Sequence, residues 1–314
     1  MASVLLSDLS NSAYMKLALA HPGERPELST LYPCKSLEEF NGSVVDFLEA
    51  HGNPDLIGAA VSACGWEVGG GLSMPNHGYR MERSDLRELL NIQRLHIVND
   101  CVSRAMAVER LFDSEVIKVC GGQGEDGLTK ALIGSGRGLG VAGIVLDDLG
   151  NPTVLPCEGG HADLATVSAR EDSVFAHLEA KYGHVSRERV ASISGLAELY
   201  EILGRIDDGD TRRVNAAEVV ALAHTGDRRA KEAIGLCQGW LAAMASDTAL
   251  MLGARSGVYL SGELLELIGD LIDWPAFEAR FTDKGRLRSY MQDIPVYLTR
   301  AADLELIGLT TLFG

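Results

Sequence analysis

The stretch Leu95-His-Ile-Val-Asn-Asp100, running into Cys-Val-Ser-Arg-Ala-Met-Ala107, constrains this chain more than any other. An apolar run broken only by His96 ends at two polar side chains, and a helix-favouring segment begins at once. A strand that ends this way and turns into a helix puts both side chains at the carboxyl edge of a sheet, where open α/β folds build their sites. Asp100 then either caps the helix or serves as a general base toward a bound hydroxyl.

The rest of the chain repeats this alternation. Residues 4–6 form a short apolar strand, Asp8 follows it, and residues 14–19 form a second strand, so the chain opens on a hairpin. An amphipathic helix is expected over 37–50, and a strand of small residues, buried on both faces, over 57–63. Residues 66–79 are glycine-rich and read as irregular. Residues 115–120 form a further strand. Residues 130–133 and 141–146 then form two strands around Gly134-Ser-Gly-Arg-Gly-Leu-Gly140, a faint repeat of the opening hairpin. Residues 156–161 read as a compact polar turn. Helices follow over 171–182, 195–203, 215–224 and 228–252, then a buried strand over 257–261, helices over 264–268 and 274–281, a strand over 296–299 and a closing helix over 305–313. No long linker intervenes. The expected division is a small α/β domain, 1–108 completed by 299–314, and a large one, 109–298.

Charge narrows the partners. Lys and Arg number 28 against 44 Asp and Glu, a formal net charge of -16, which argues against a nucleic acid or an anionic membrane. Local donors for a phosphorylated ligand remain possible under that charge. The six cysteines lie far apart with no CxxC pair, as in a reducing compartment. No run of about 18 apolar residues occurs, and the N-terminus lacks a signal-peptide pattern, so a cytoplasmic protein is expected.

Polar features at the ends of elements are the candidates for chemistry: Asn76, Asn99-Asp100, Glu158-Gly-Gly-His161 and Glu188. Carboxylates, amides and an imidazole suit a polyhydroxylated ligand, because each sugar hydroxyl both donates and accepts. Glu158 and His161 admit three readings: a ligand-binding turn, a turn with a satisfied histidine, or the start of a metal site that lacks further ligands. Glu188, between Arg187 and Arg189, is either a site residue or part of a solvated charge cluster. Successive backbone N–H groups at Gly134, Gly136 and Gly138 can cradle an anion, or simply close a tight hairpin. Gly262, after a buried strand, is a turn with or without a nucleotide beside it.

Taken together, these motifs resemble the bacterial glucokinase family, within the hexokinase/actin-like superfamily of two-domain sugar kinases. The stretches that carry the resemblance are Val98-Asn-Asp-Cys101, the 134–140 glycine loop, Cys157-Glu-Gly-Gly-His-Ala-Asp163 and the run from Glu188 to Tyr200. Gly257-Val-Tyr-Leu-Ser-Gly262, Phe281-Thr-Asp-Lys-Gly-Arg286 and Asp293-Ile-Pro-Val-Tyr-Leu298 complete it. The resemblance implies an α/β, ribonuclease H-like fold with mixed sheets flanked by helices, and ATP-dependent phosphorylation of a hexose, most readily glucose, at its 6-hydroxyl. It implies that Asn76, Asn99, Asp100, Glu158, His161 and Glu188 bind the sugar, with Asp100 as the base. It further implies ATP and Mg²⁺, with the ion near Asp8, and a homodimer.

The nucleotide half departs from the family pattern. The family opens with Asp-x-Gly-Gly-Thr, whereas this chain has Asp8-Leu-Ser10-Asn11-Ser12-Ala13. Each Cβ there limits the turn's conformations and a phosphate's approach. Arg137 stands where the glycine loop usually has threonine, and Gly262-Glu263 where the family has Gly-Gly. Arg137 either holds a phosphate or fills its place. A carboxylate at 263 either repels phosphate or bonds a ribose. The alternative expectation is therefore a sugar-binding relative whose phosphoryl transfer is lost or altered, acting as a binding or regulatory protein.

Overall fold

The computed structural model describes residues 3–11, 13–74 and 78–314. In chain order the first elements are β1 (Ser3–Leu9), β2 (Tyr14–Ala20), β3 (Thr30–Pro33), α1 (Leu37–Ala50), β4 (Leu56–Ala63), β5 (Trp66–Val68), β6 (Gly71–Met74), β7 (Tyr79–Glu82), α2 (Arg83–Leu90), β8 (Leu95–Asn99) and α3 (Asp100–Ala107). Then come β9 (Val116–Cys120), β10 (Lys130–Ser135), β11 (Leu139–Leu146), β12 (Pro152–Cys157), α4 (Ala169–Tyr182), α5 (Ile193–Asp208), α6 (Ala216–His224) and α7 (Arg228–Leu252). The last are β13 (Gly257–Ser261), α8 (Glu263–Ile268), α9 (Trp274–Phe281), α10 (Arg288–Asp293), β14 (Val296–Thr299) and α11 (Leu304–Thr310).

Two compact units result. One is formed by the described residues up to Phe112 together with Ala301–Gly314, the other by Asp113–Arg300. In the first, the sheet order is β3-β2-β1-β4-β8, with β1 and β2 antiparallel and β1, β4 and β8 parallel. In the second, the order is β12-β11-β10-β13-β14-β9, again a hairpin (β10, β11) followed by two parallel strands. The faint sequence repeat is thus a repeat of strand order. This is the expected α/β fold with mixed sheets flanked by helices.

The five-stranded sheet of the first unit is covered on both faces. In the first unit Phe40, Val44 and Phe47 of α1 pack with Leu5, Met15 and Leu17 on one side. Leu306, Leu309 and Phe313 pack with Val4, Leu6 and Ala60 on the other. In the second, one core joins β10, β11 and β13 to α5, α7 and α9 through Ile133, Leu199, Trp240, Leu260 and Phe277. Helix starts follow side-chain caps: Ser36 accepts from the Glu39 N–H, and Asn215 forms a capping box with Glu218. Among the described residues no helix is long and apolar enough to cross a membrane.

Four expectations need correction. The stretch expected to be irregular over 66–79 is strand over 66–68 and 71–74 and from 79 onward: β5, β6 and β7 form a small antiparallel sheet, and Gly69-Gly70 form the β5–β6 turn, while residues 75–77 lie outside the described residues. Asp8 does not follow the first strand but lies inside it, paired with Lys16, because the ladder continues past the apolar residues. Most of the 134–140 loop is strand too; only Gly136–Gly138 turns, with the Gly136 N–H donating to the Gly138 carbonyl at 2.9 Å. Likewise Pro156 and Cys157 end β12, so the polar turn reduces to the 3-10 turn Gly159–His161.

Candidate functional site

At the carboxyl end of β8 the backbone stays extended through Asn99, whose Oδ1 accepts the Cys101 N–H at 2.9 Å. Asn99 is therefore the cap of α3, and Asp100 is its first helical residue, which corrects the reading of Asp100 as the cap. The cap uses only the amide oxygen of Asn99. The carboxylate of Asp100 is left for another task. Its side chain is 20% exposed, and its Oδ2 stands 3.7 Å from Nη2 of Arg104, one turn later on α3. Arg104 is held by Glu305 of α11 at 2.6 Å.

Asp8 sits in the same unit with both oxygens turned onto Ser10: Oδ1 accepts the Ser10 N–H and Oδ2 the Ser10 hydroxyl, each at 3.0 Å. Asn11 Oδ1 accepts the Ala13 N–H at 2.9 Å, closing a side-chain turn where the family pattern has glycines. Burial, then the charge of Glu305, pushes the Asp8 carboxyl up to about 8, against the hydrogen bonds of Ser10 and the charge of Arg104. Burial would raise Glu305 as well, but Arg104 holds it below the usual carboxylate range. With both of its oxygens committed to Ser10, the Asp8 carboxyl does not fit a directly bound Mg²⁺, which needs a free oxygen ligand. Among the described residues, no cluster of three or more His, Cys, Asp or Glu could hold a metal ion.

In the second unit, Leu139 gathers three of the expected features. Its N–H donates to Glu188 Oε2 at 3.0 Å. Its carbonyl lies where a Cβ on Gly160 would come within 1.9 Å, so only glycine lets the Gly159–His161 turn approach β11 this closely. The Gly159–His161 turn and the Arg187–Arg189 turn are tied by the Arg187 N–H, which donates to the Ala162 carbonyl at 3.0 Å. Glu158 and His161 are both exposed, and no side-chain bond commits Glu158 to capping its turn. Glu188 is half-buried and packs on the glycine turn, 2.7 Å from where a Gly138 Cβ would stand.

The other side of the same turn carries Gly262 and Glu263. Gly262 has φ +111°, and a Cβ there would meet the Ser135 carbonyl at 2.3 Å, so both backbone angle and space require glycine. Gly134 is buried in β10, Arg137 is exposed at the tip, and Gly136 is buried, with room for a Cβ whose nearest neighbour would be the Glu263 nitrogen at 3.8 Å. Leu139, the first residue after the turn, already donates its N–H to a carboxylate oxygen of Glu188, which shows that the backbone here presents a donor to an anionic group.

The structure thus groups Asp8, Ser10, Asn99 and Asp100 in one unit. In the other it groups Glu158, His161 and Glu188 with Gly134, Gly136, Arg137, Gly138, Gly262 and Glu263. Asn76 and Ser12 lie outside the described residues. Arg104 and Glu305 were not anticipated: the Asp100–Arg104 spacing is a visible i,i+4 signal, whereas Glu305 is distant in sequence and carried none.

A hairpin and two parallel strands in each of two units, with polar side chains and glycine turns at the strand ends, define the ribonuclease H-like class to which sugar kinases belong. A family model described as Glucokinase matches residues 10–313. The chain is 36% identical over 304 residues to a glucokinase-like protein of Caulobacter vibrioides, covering 96% of this chain and 94% of that one. It is also 36% identical over 289 residues to the glucokinase of Pseudomonas paraeruginosa, covering 91% and 85%. In structure it is similar to a glucokinase from an Antarctic psychrotroph, with TM-score 0.88, 24% identity and 99% and 98% of the two chains covered. The chain belongs to the glucokinase family.

Proposed function

We propose that this protein transfers the terminal phosphoryl group of ATP to the 6-hydroxyl of a hexose, with glucose as the preferred acceptor. The observation that carries the proposal is the division of labour at the head of α3: Asn99 caps the helix, which leaves the Asp100 carboxylate for a ligand. In this reading Asp100 accepts the hydroxyl proton as the oxygen attacks phosphorus. Asn99, Glu158 and His161 each take a share of the ring hydroxyls, with Asn76 and Glu188 proposed alongside them. The Gly136 N–H is used within the turn, so the backbone N–H groups of Arg137 and Gly138 are the ones assigned to the phosphates of the donor, where fixed donors stabilise charge without reorganising. No residue is assigned to magnesium. A homodimer in the cytoplasm belongs to the same proposal.

A specific observation favours a second reading, in which the protein binds sugar but transfers phosphate poorly or from another donor. Asp8 turns both oxygens onto Ser10, and Glu188 occupies the Leu139 N–H just after the glycine turn. Calorimetric titration with glucose and a turnover assay with ATP and Mg²⁺ on one preparation separate the two readings. Binding with turnover supports the kinase, and binding without turnover selects the second reading. No glucose binding removes both. Asp100→Ala should lower turnover by orders of magnitude while glucose affinity stays within about tenfold, since a base acts in the transition state more than in binding. An equal loss of both would remove Asp100 from the role of base.

A further inference from the structure

We infer that Arg104 is a positioning residue for the Asp100 carboxylate and that Glu305 holds Arg104 to that task. The inference rests on the proposed function in one respect: Asp100 is taken as the group that meets the sugar hydroxyl. Arg104 follows Asp100 by one turn, so both side chains project from the same face of α3. Arg104 Nε donates to Glu305 Oε1 at 2.6 Å, a charge-assisted hydrogen bond. The 3.7 Å between Nη2 and Asp100 Oδ2 is too long for a hydrogen bond but close for two opposite charges out of bulk water.

Stability alone does not account for this arrangement. The side chains of Arg104 and Glu305 are only 13% and 11% exposed, and an ion pair so far from solvent is often no better for the fold than two apolar residues of similar volume. An apolar pair, however, could not restrain a carboxylate. Asn99 has taken over the cap, and among the described residues Arg104 is the partner of the Asp100 side chain. The planar guanidinium suits the task, because one edge bonds Glu305 while another reaches Asp100.

The anchor is itself fixed. Lys16 and Ser29 bind the two oxygens of Asp303, just before α11, at 2.7 and 2.6 Å. Gly308 of α11 packs directly on the backbone of Ser103, so α11 and α3 cannot slide past each other without a clash. A continuous set of contacts therefore runs from the hairpin residue Lys16 through α11 and Arg104 to Asp100.

A double-mutant cycle tests the inference. Arg104→Met should lower kcat about tenfold or more in the protein with Asp100, and less than about twofold in the Asp100→Asn background, because Arg104 acts through that carboxylate. Glucose affinity, titrated on the same four proteins, should follow the same pattern on a smaller scale. The same fall in both backgrounds overturns the inference, since Arg104 would then be a structural residue only. Arg104→Met leaves Glu305 buried and unpaired, so Arg104→Met/Glu305→Leu provides the folded control. That variant should melt near the wild-type temperature and still show the turnover defect, whereas full turnover in it also overturns the inference. A wild-type protein that binds glucose without phosphorylating it ends the kinase reading, and the cycle in glucose affinity then decides on Arg104. Should Asp100→Asn alone change neither turnover nor affinity, the assignment of Asp100 fails, and the inference fails with it.

Discussion

Two effects raise the Asp8 carboxyl, its burial in β1 and then the Glu305 carboxylate nearby. In the unfolded chain the same group ionises near its ordinary value of 3.8, against about 8 in the fold. A carboxyl raised in this way contributes stability that is complete below the unfolded value and is lost as pH rises through the folded one. The window for Asp8 thus runs from roughly pH 4 to pH 8. Asp8→Asn keeps the shape with a side chain that cannot ionise, so its melting temperature should exceed that of the wild type above about pH 8 and the difference should shrink toward pH 5. Thermal melts across that range check this. Parallel curves would mean that Asp8 is already ionised in the fold and would restore it as a candidate magnesium ligand.

The helix pair α3 and α11 shows what one residue does for an element. A Cβ on Gly308 would stand 1.7 Å from the Ser103 carbonyl oxygen, far inside any tolerable contact with backbone. Gly308→Ala should therefore push α11 off α3 and cost about 2–3 kcal/mol in urea denaturation, as overpacking against a rigid neighbour does. It should also mimic part of the Arg104→Met defect in turnover, because Glu305 moves with the helix. Loss of stability with unchanged turnover would separate α11 from the site. Sequence signals for elements like these were uneven. The helix α7 could be read to both ends, from the Asp227 cap and Gly253 after the last turn. The edge strands β3 and β12 could not: their residues are mostly exposed, prolines stand at 33, 152 and 156, and only the ladders from β2 and β11 make them strands. In the candidate site, the Asn99-Asp100 junction was legible because strand, polar pair and helix are contiguous. The Arg104–Glu305 pair joins residues 201 positions apart, and no local pattern announces a contact made only by packing.

At the scale of the molecule, the repeated strand order gives each unit a core of its own. Phe47 is fully buried among β1, β2 and α1, and Phe277 among α7, α9 and the strands of the second sheet. Neither of these clusters draws residues from the other unit. Two closed cores of this size can each unfold cooperatively, so heating should give two calorimetric transitions rather than one. Phe47→Ala and Phe277→Ala each remove a large buried ring, at a cost of about 3–5 kcal/mol to the core that held it. Each substitution should lower one transition and leave the other in place, and the two should pick out different transitions. If both substitutions shift a single transition equally, the units unfold as one cooperative body, and the separate cores do not translate into separate stabilities.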